Sequence, residues 1–409
     1  MMQVKRRCLE LTKTHRTLTM SNNASSNGLA NLHRLALVLC GLTFTLIVWG
    51  GHVNTTRSGM AFPDWPTSNL APMVTYAPSE WLWQSDRFWE HGHRLLASLV
   101  GLVTVVLGVG IYRRTPLQLR PSKVIMSVLG GILLIMATAI VGMQSMPTGF
   151  MESVMVLLAI MLVTALIRAL RTGGEGKLVW LAMAAFLGVC LQGAFGGYTV
   201  RNNLPDWTST THGMLAQIFF MMVIGITLLT SKRWQTAERR PVDGRSPRAI
   251  VTVTWAITIV QFLLGALTRH TDAWGVSVSW PHWDEAGFFP SGHLLQYGQV
   301  VIHVLHRTVA YAVAAMVILQ WITIVRRRSQ LTDLVLPASI NVVLVLLQIA
   351  LGAMILWTAR GEFATTAHVA TGVLLLVFNT ITMFNLYRLY AIVPSAEVAG
   401  RVVVGQGTR

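Results

Sequence analysis

Four histidines stand at equivalent places in the chain: His93, His212, His306 and His368 each open a long run of apolar residues. An ionisable side chain at the margin of an apolar segment is unfavourable unless it is solvated or serves a site. One such histidine is ordinary at a solvated helix end, but four at matched depth point to a shared role. Imidazole is a common axial ligand of haem iron. The spacing also repeats. Leu191-Gln192-Gly193-Ala194-Phe195-Gly196 and Leu347-Gln348-Ile349-Ala350-Leu351-Gly352 share one pattern, and the 20 residues from Gln192 to His212 equal those from Gln348 to His368. His93-Arg94-Leu95 is echoed by His306-Arg307-Thr308. The chain therefore reads as two related halves, each bringing a pair of histidines to a common interior, a construction known among membrane proteins.

The neighbours of these histidines differ between halves. Glu90 lies three residues before His93, and His303 holds that place before His306. Glu90 is either a helix-end acid, favoured by the helix dipole, or a group for proton chemistry. Arg94 and Arg307 either snorkel to the interface or pair with carboxylates such as porphyrin propionates. Gln192, Gln261 and Gln348 are each followed four residues later by glycine, which marks close helix packing. Pro63-Asp64-Trp65-Pro66 and Pro205-Asp206-Trp207 belong to Trp-rich outer segments, read as an interfacial belt or as a lid over a large flat ligand. No P-loop, dinucleotide glycine pattern, zincin helix or nucleophile elbow is found. Cys8, Cys40 and Cys190 are too scattered for a disulfide framework.

The elements that must carry these residues are transmembrane helices. With 53% hydrophobic and 12% charged residues, the 409-residue chain is far poorer in charge than a soluble domain, and its mean hydropathy is +0.55. A soluble enzyme is excluded. A net charge of +16 would suggest nucleic acid in a soluble chain, but no nucleic-acid partner is expected here, because loop charges orient a membrane protein. Ten spans are predicted, at 33–51, 93–112, 124–143, 153–170, 178–199, 212–230, 249–268, 300–325, 335–357 and 368–390. With both termini inside, 25 of the 32 Lys and Arg residues face the cytoplasm. Ten of the 12 histidines then lie on the outer side, and only His15 and His33 on the inner.

The expected architecture is all-α: two pseudo-symmetric four-helix bundles plus an inserted transmembrane hairpin. The interval from His93 to His212 exceeds that from His306 to His368 by 57 residues, about one hairpin, assigned to 115–172. The boundaries are a mobile cytoplasmic tail (1–32), an N-terminal half (33–230), a cytoplasmic linker (231–248), a C-terminal half (249–393) and a C-terminal tail (394–409). No helix-three or helix-four histidine exists, so the hairpin should lie at the periphery and supply no iron ligand.

Taken together, these motifs resemble the haem A synthase family, which prepares haem A for cytochrome oxidase. The residues that carry the resemblance are Gly50-Gly51 with Ser58-Gly59 and Asp64-Trp65-Pro66, Glu90 with His93-Arg94, Gln192-Gly193 with Gly196 and His212, His306-Arg307, and His368. The resemblance implies that His306 and His368, with Arg307, bind haem b as cofactor. It implies that His93 and His212, with Arg94, bind haem O as substrate, and that Glu90 takes part in oxidising the C8 methyl of haem O to a formyl. Haem O synthase or cytochrome oxidase assembly factors are the expected protein partners. A bacterial plasma membrane is favoured over a mitochondrial inner membrane as the location, because no clear Arg-rich, Ser-rich transit peptide opens the chain. Two departures stand out: the family usually has eight helices rather than ten, and the outer-loop cysteine pair of some members is missing. The residues leave two other readings open, a dihaem cytochrome oxidising quinol and a non-catalytic haem carrier.

Overall fold

The computed structural model describes residues 2–123, 125–127, 130–131, 149–243, 247–284 and 287–393, with side chains for those from 28 onward other than Asp243, Ile392 and Val393. Nine long helices cross the molecule among the described residues: α1 (Met2–Thr55), α2 (Ser85–Arg114), α3 (Phe150–Arg171), α4 (Gly174–Arg201), α5 (Asp206–Thr230), α6 (Arg248–His270), α7 (Gly298–Val325), α8 (Thr332–Trp357) and α9 (Glu362–Leu389). Each contains a segment long and apolar enough to span a membrane, in α1 the part Gly28–Thr55. The chain is an all-α integral membrane protein. Most of the predicted span 124–143 lies outside the described residues. So does the tail 394–409. The backbone of 2–27, expected as a mobile tail, continues α1 as helix.

Helix ends follow their charges. Asp86, Glu152, Glu175 and Asp206 sit in first turns, and Arg113 with Arg114, or Arg168 with Arg171, in last turns, as the helix dipole favours. Thr43, Thr104 and Thr227 return their hydroxyls to the carbonyl four residues back, so these three add no unpaired donor to the apolar interior.

Two bundles result. In the first, α1 packs on α2 and α5, and α4 on α2 and α5; in the second, α6, α7, α8 and α9 close a ring of neighbours. The bundles meet along α1 and α5 on one side and α6 and α9 on the other. Helix α3 packs against α4. Its buried residues Met151, Met155, Leu158, Leu162, Ala165 and Ala169 form one helical stripe. Val156, Ile160, Val163, Ile167 and Leu170 form a second, exposed one, suited to lipid. The other helix of the expected hairpin lies outside the described residues. At the end of the bundles opposite the four histidines, strand Arg240–Asp243 of the linker pairs in parallel with Tyr390–Val393 just after α9. Asp333 joins this latch by accepting from Tyr390 at 3.1 Å and pairing with Arg233 and Arg240.

Candidate functional site

Each of the four histidines projects from the N-terminal part of its helix onto a glycine of the preceding helix in its bundle. A methyl on Gly50 would stand 2.7 Å from the His93 ring, and on Gly196 2.9 Å from His212. In the second bundle the corresponding distances are 3.2 Å from Gly265 to His306 and 3.3 Å from Gly352 to His368. The packing read from Gln-x-x-x-Gly is therefore real, and its object is a histidine ring. The glutamines reach the same residues. Gln192 Nε2 donates to the His212 carbonyl at 2.9 Å, and Gln261 Nε2 to that of His306 at 3.0 Å. Gln261 Nε2 also lies 3.0 Å from His306 Nδ1. Gln348 is tied in through Thr371, which donates to Gln348 Oε1 and to the His368 carbonyl. The fourth place, four residues before Gly50, is Leu46, so His93 alone has no glutamine.

His93 lies within electrostatic reach of His212, and His306 of His368. Nδ1 of His93, His212 and His368 is buried and meets no hydrogen-bond partner. In each ring this nitrogen lies 3.3–3.8 Å from where the glycine methyl would stand, so it abuts the neighbouring helix. Among the described residues no cluster of three or more His, Cys, Asp or Glu could hold a metal ion by itself. Two imidazoles facing one space suit a macrocycle that supplies its own equatorial ligands, which is haem. The residues fit that group.

Glu90 and Arg94 take a position that sequence alone left open. The Arg94 guanidinium donates to Glu90 Oε1 at 2.5 Å, and the Phe62 amide donates to Glu90 Oε2 at 2.9 Å. Arg94 also donates to the carbonyls of Phe62, Asp64 and Thr67 at 2.7–2.8 Å. It is neither a snorkelling residue nor an open carboxylate receptor: it holds the α1–α2 loop over the bundle. Arg307 does the same in the other half, donating to the carbonyls of Ser277, Ser279 and His282, with its Nε on His303 at 3.1 Å. Counted from Trp65-Pro66 and Trp280-Pro281, the three carbonyls occupy identical places in the two loops.

That loop repeat escaped the sequence reading, which matched the first loop to Pro205-Asp206-Trp207 instead. Those residues start α5, where Trp207 is exposed, whereas Trp65 packs against Gly197. The usable signal was the Trp-Pro dipeptide, once between the first two helices of each half. Among the remaining outer histidines, His91 is buried against Phe62, Tyr76 and Trp81 with Ser68 near its Nδ1. His52 meets Trp89 edge-on at 4.1 Å and Thr366 by hydrogen bond.

The cytochrome oxidase assembly protein family matches residues 148–380, more than half of the chain. The chain belongs to the haem A synthase family. Family relatives include the haem A synthase of Rhizorhabdus wittichii, 23% identical across 86% of this chain and 91% of its own length. That of Symbiobacterium thermophilum is 24% identical across 79% and 85%, and that of Sphingopyxis alaskensis 23% across 92% and 97%. The family match includes α3 and His212, His306 and His368; it begins after Glu90 and His93.

Proposed function

We propose that this protein is a membrane oxidoreductase that converts haem O to haem A by oxidising the C8 methyl to a formyl. The observation that carries the reading is the set of four outer histidines, each set against a glycine and grouped two to a bundle. His306 and His368 would hold haem b, and His93 and His212 the substrate haem O. Bound haem supplies the redox chemistry through its iron. The protein's share is orientation. The glycines let the imidazoles lie close to the neighbouring helix, and the glutamines restrain His212 and His306, as outer-shell partners do for metal-bound histidine. The two loops clasped by Arg94 and Arg307 cover the outer ends of the bundles and limit water there.

Glu90 is the proposed catalytic carboxylate, accepting a proton near the oxidised carbon. Its bonds to Arg94 and the Phe62 amide give it the further task of anchoring the loop. Both termini and the linker 231–248 would face the cytoplasm of a bacterial cell, and haem O synthase or oxidase assembly factors would be its partners. The two halves, 33–230 and 249–393, would be the substrate and cofactor sides.

Substitution separates these roles. His306→Ala or His368→Ala should lose haem b and its low-spin spectrum. Glu90→Gln should keep that haem while haem A formation falls by a factor on the order of 10² to 10⁴. Haem A made by Glu90→Gln at the unmodified rate would leave Glu90 with the loop-anchoring task alone.

A further inference from the structure

A group of basic residues lies where the two bundles meet at their outer ends, and the histidine chemistry leaves it unexplained. Arg269, one turn outward of Gly265 on α6, donates Nε to Asn54 Oδ1 at 2.5 Å and Nη2 to Thr55 Oγ1 at 2.9 Å and to the Gly51 carbonyl. All three partners are neutral. Arg360, in the α8–α9 turn, donates to the carbonyl and side-chain oxygens of Asn54 at 3.2 Å. Its side chain is only 11% exposed. His270 lies 3.4 Å from Asn54 Nδ2. Among the described residues, the carboxylate paired with this group is Asp272, itself 57% exposed and shared between Arg360 at 3.5 Å and Arg57 at 3.8 Å. Two of the three guanidinium groups thus share one acid, and Arg269 meets only neutral partners.

Positive charge held at a helical seam without matching carboxylates is unfavourable unless an anion joins it. The position says which anion. Arg269 Nη1 lies 3.7 Å from where a Gly51 methyl would stand, and Val369 Cγ1, beside His368, lies 3.1 Å from the same point. Gly265, one turn inward of Arg269, faces His306. The seam therefore borders the C-terminal histidine pair on its outer side. Arg94 and Arg307, the arginines next to the histidines in sequence, spend their donors on loop carbonyls. A porphyrin on this pair presents two propionate carboxylates, and guanidinium pairs well with them.

We propose that Arg269 and Arg360 form a carboxylate-binding site that receives a propionate of the porphyrin held by His306 and His368. This rests on the reading that the pair binds haem. The test uses the full-length chain, produced without haem, purified in detergent and titrated with iron protoporphyrin IX and with its dimethyl ester. The signal is the Soret change that His306→Ala abolishes. The free acid should bind roughly 10- to 100-fold more tightly than the ester. Arg269→Gln and Arg360→Gln should each reduce that preference while leaving ester affinity unchanged, and Arg269→Lys should retain part of it. Equal binding of acid and ester by the unaltered chain would overturn the proposal. So would variants that weaken both ligands equally, which would make the arginines struts between bundles. If no Soret change depends on His306, the haem reading itself fails, a result distinct from either of these.

Discussion

At the scale of single residues, the space around each histidine is set by a missing side chain. Glycine at 50, 196, 265 and 352 lets a ring lie against the backbone of the next helix, and the clearances are not equal. A methyl at 2.7 or 2.9 Å must displace the ring, whereas at 3.2 or 3.3 Å a small shift relieves it. Gly50→Ala and Gly196→Ala should therefore impair haem binding by the N-terminal pair severely. Gly265→Ala and Gly352→Ala should cost the C-terminal pair only a few-fold in affinity. Titration with iron protoporphyrin IX measures both; equal effects at all four sites would contradict the ordering. The histidines and glutamines were legible because residue type and spacing coincide. The partners of Glu90, Arg94 and Arg307 were not, because a guanidinium meeting loop carbonyls leaves no trace in periodicity.

At the scale of elements, the two bundles share a frame but not an interior. Thr258, Gln320, Asn341 and Asn379, one from each helix of α6–α9, form a buried hydrogen-bonded layer. At the same register from the histidines and glycines, the first bundle buries Thr43, Leu107, Ala185 and Val223. Asn379 joins the layer's other three members, so Asn379→Ala strands their polar atoms, at about 1–3 kcal/mol for each group left unpaired. Changing Gln320→Leu, Asn341→Ala and Asn379→Val together should recover much of that loss, because no unmatched amide remains. Thermal unfolding in detergent checks this. A triple variant less stable than Asn379→Ala would show that the layer's shape, rather than its polarity, matters. The repeat was visible in sequence at the glutamines and histidines, yet this inequality was hidden, since single amides within apolar runs look alike until the four helices are set in register. Two adjacent left-handed residues in the α4–α5 turn (Asn203, Leu204) and in the α8–α9 turn (Ala359, Arg360) repeat equally, and neither pair contains the glycine that would announce it.

At the scale of the whole molecule, the hydropathy of the chain disclosed the membrane fold. The seam between bundles was not legible, because its contacts join residues more than 200 positions apart, such as Asn54 and Arg269. The latch between Arg240–Asp243 and Tyr390–Val393 requires the linker and the end of α9 to share one side of the membrane. A cysteine at 240 should accordingly react with an impermeant reagent only from the cytoplasmic side, as one at 280 should only from outside; labelling of 240 from outside would reverse the orientation. The central claim, conversion of haem O to haem A on paired histidines, is tested most directly by the porphyrins of the purified protein after incubation with haem O, oxygen and a reductant. The account predicts haem A, with or without a hydroxymethyl intermediate, alongside unchanged haem b. Haem b that quinol reduces while haem O stays unaltered would contradict it and favour a cytochrome, and haem O bound but never altered would favour a carrier.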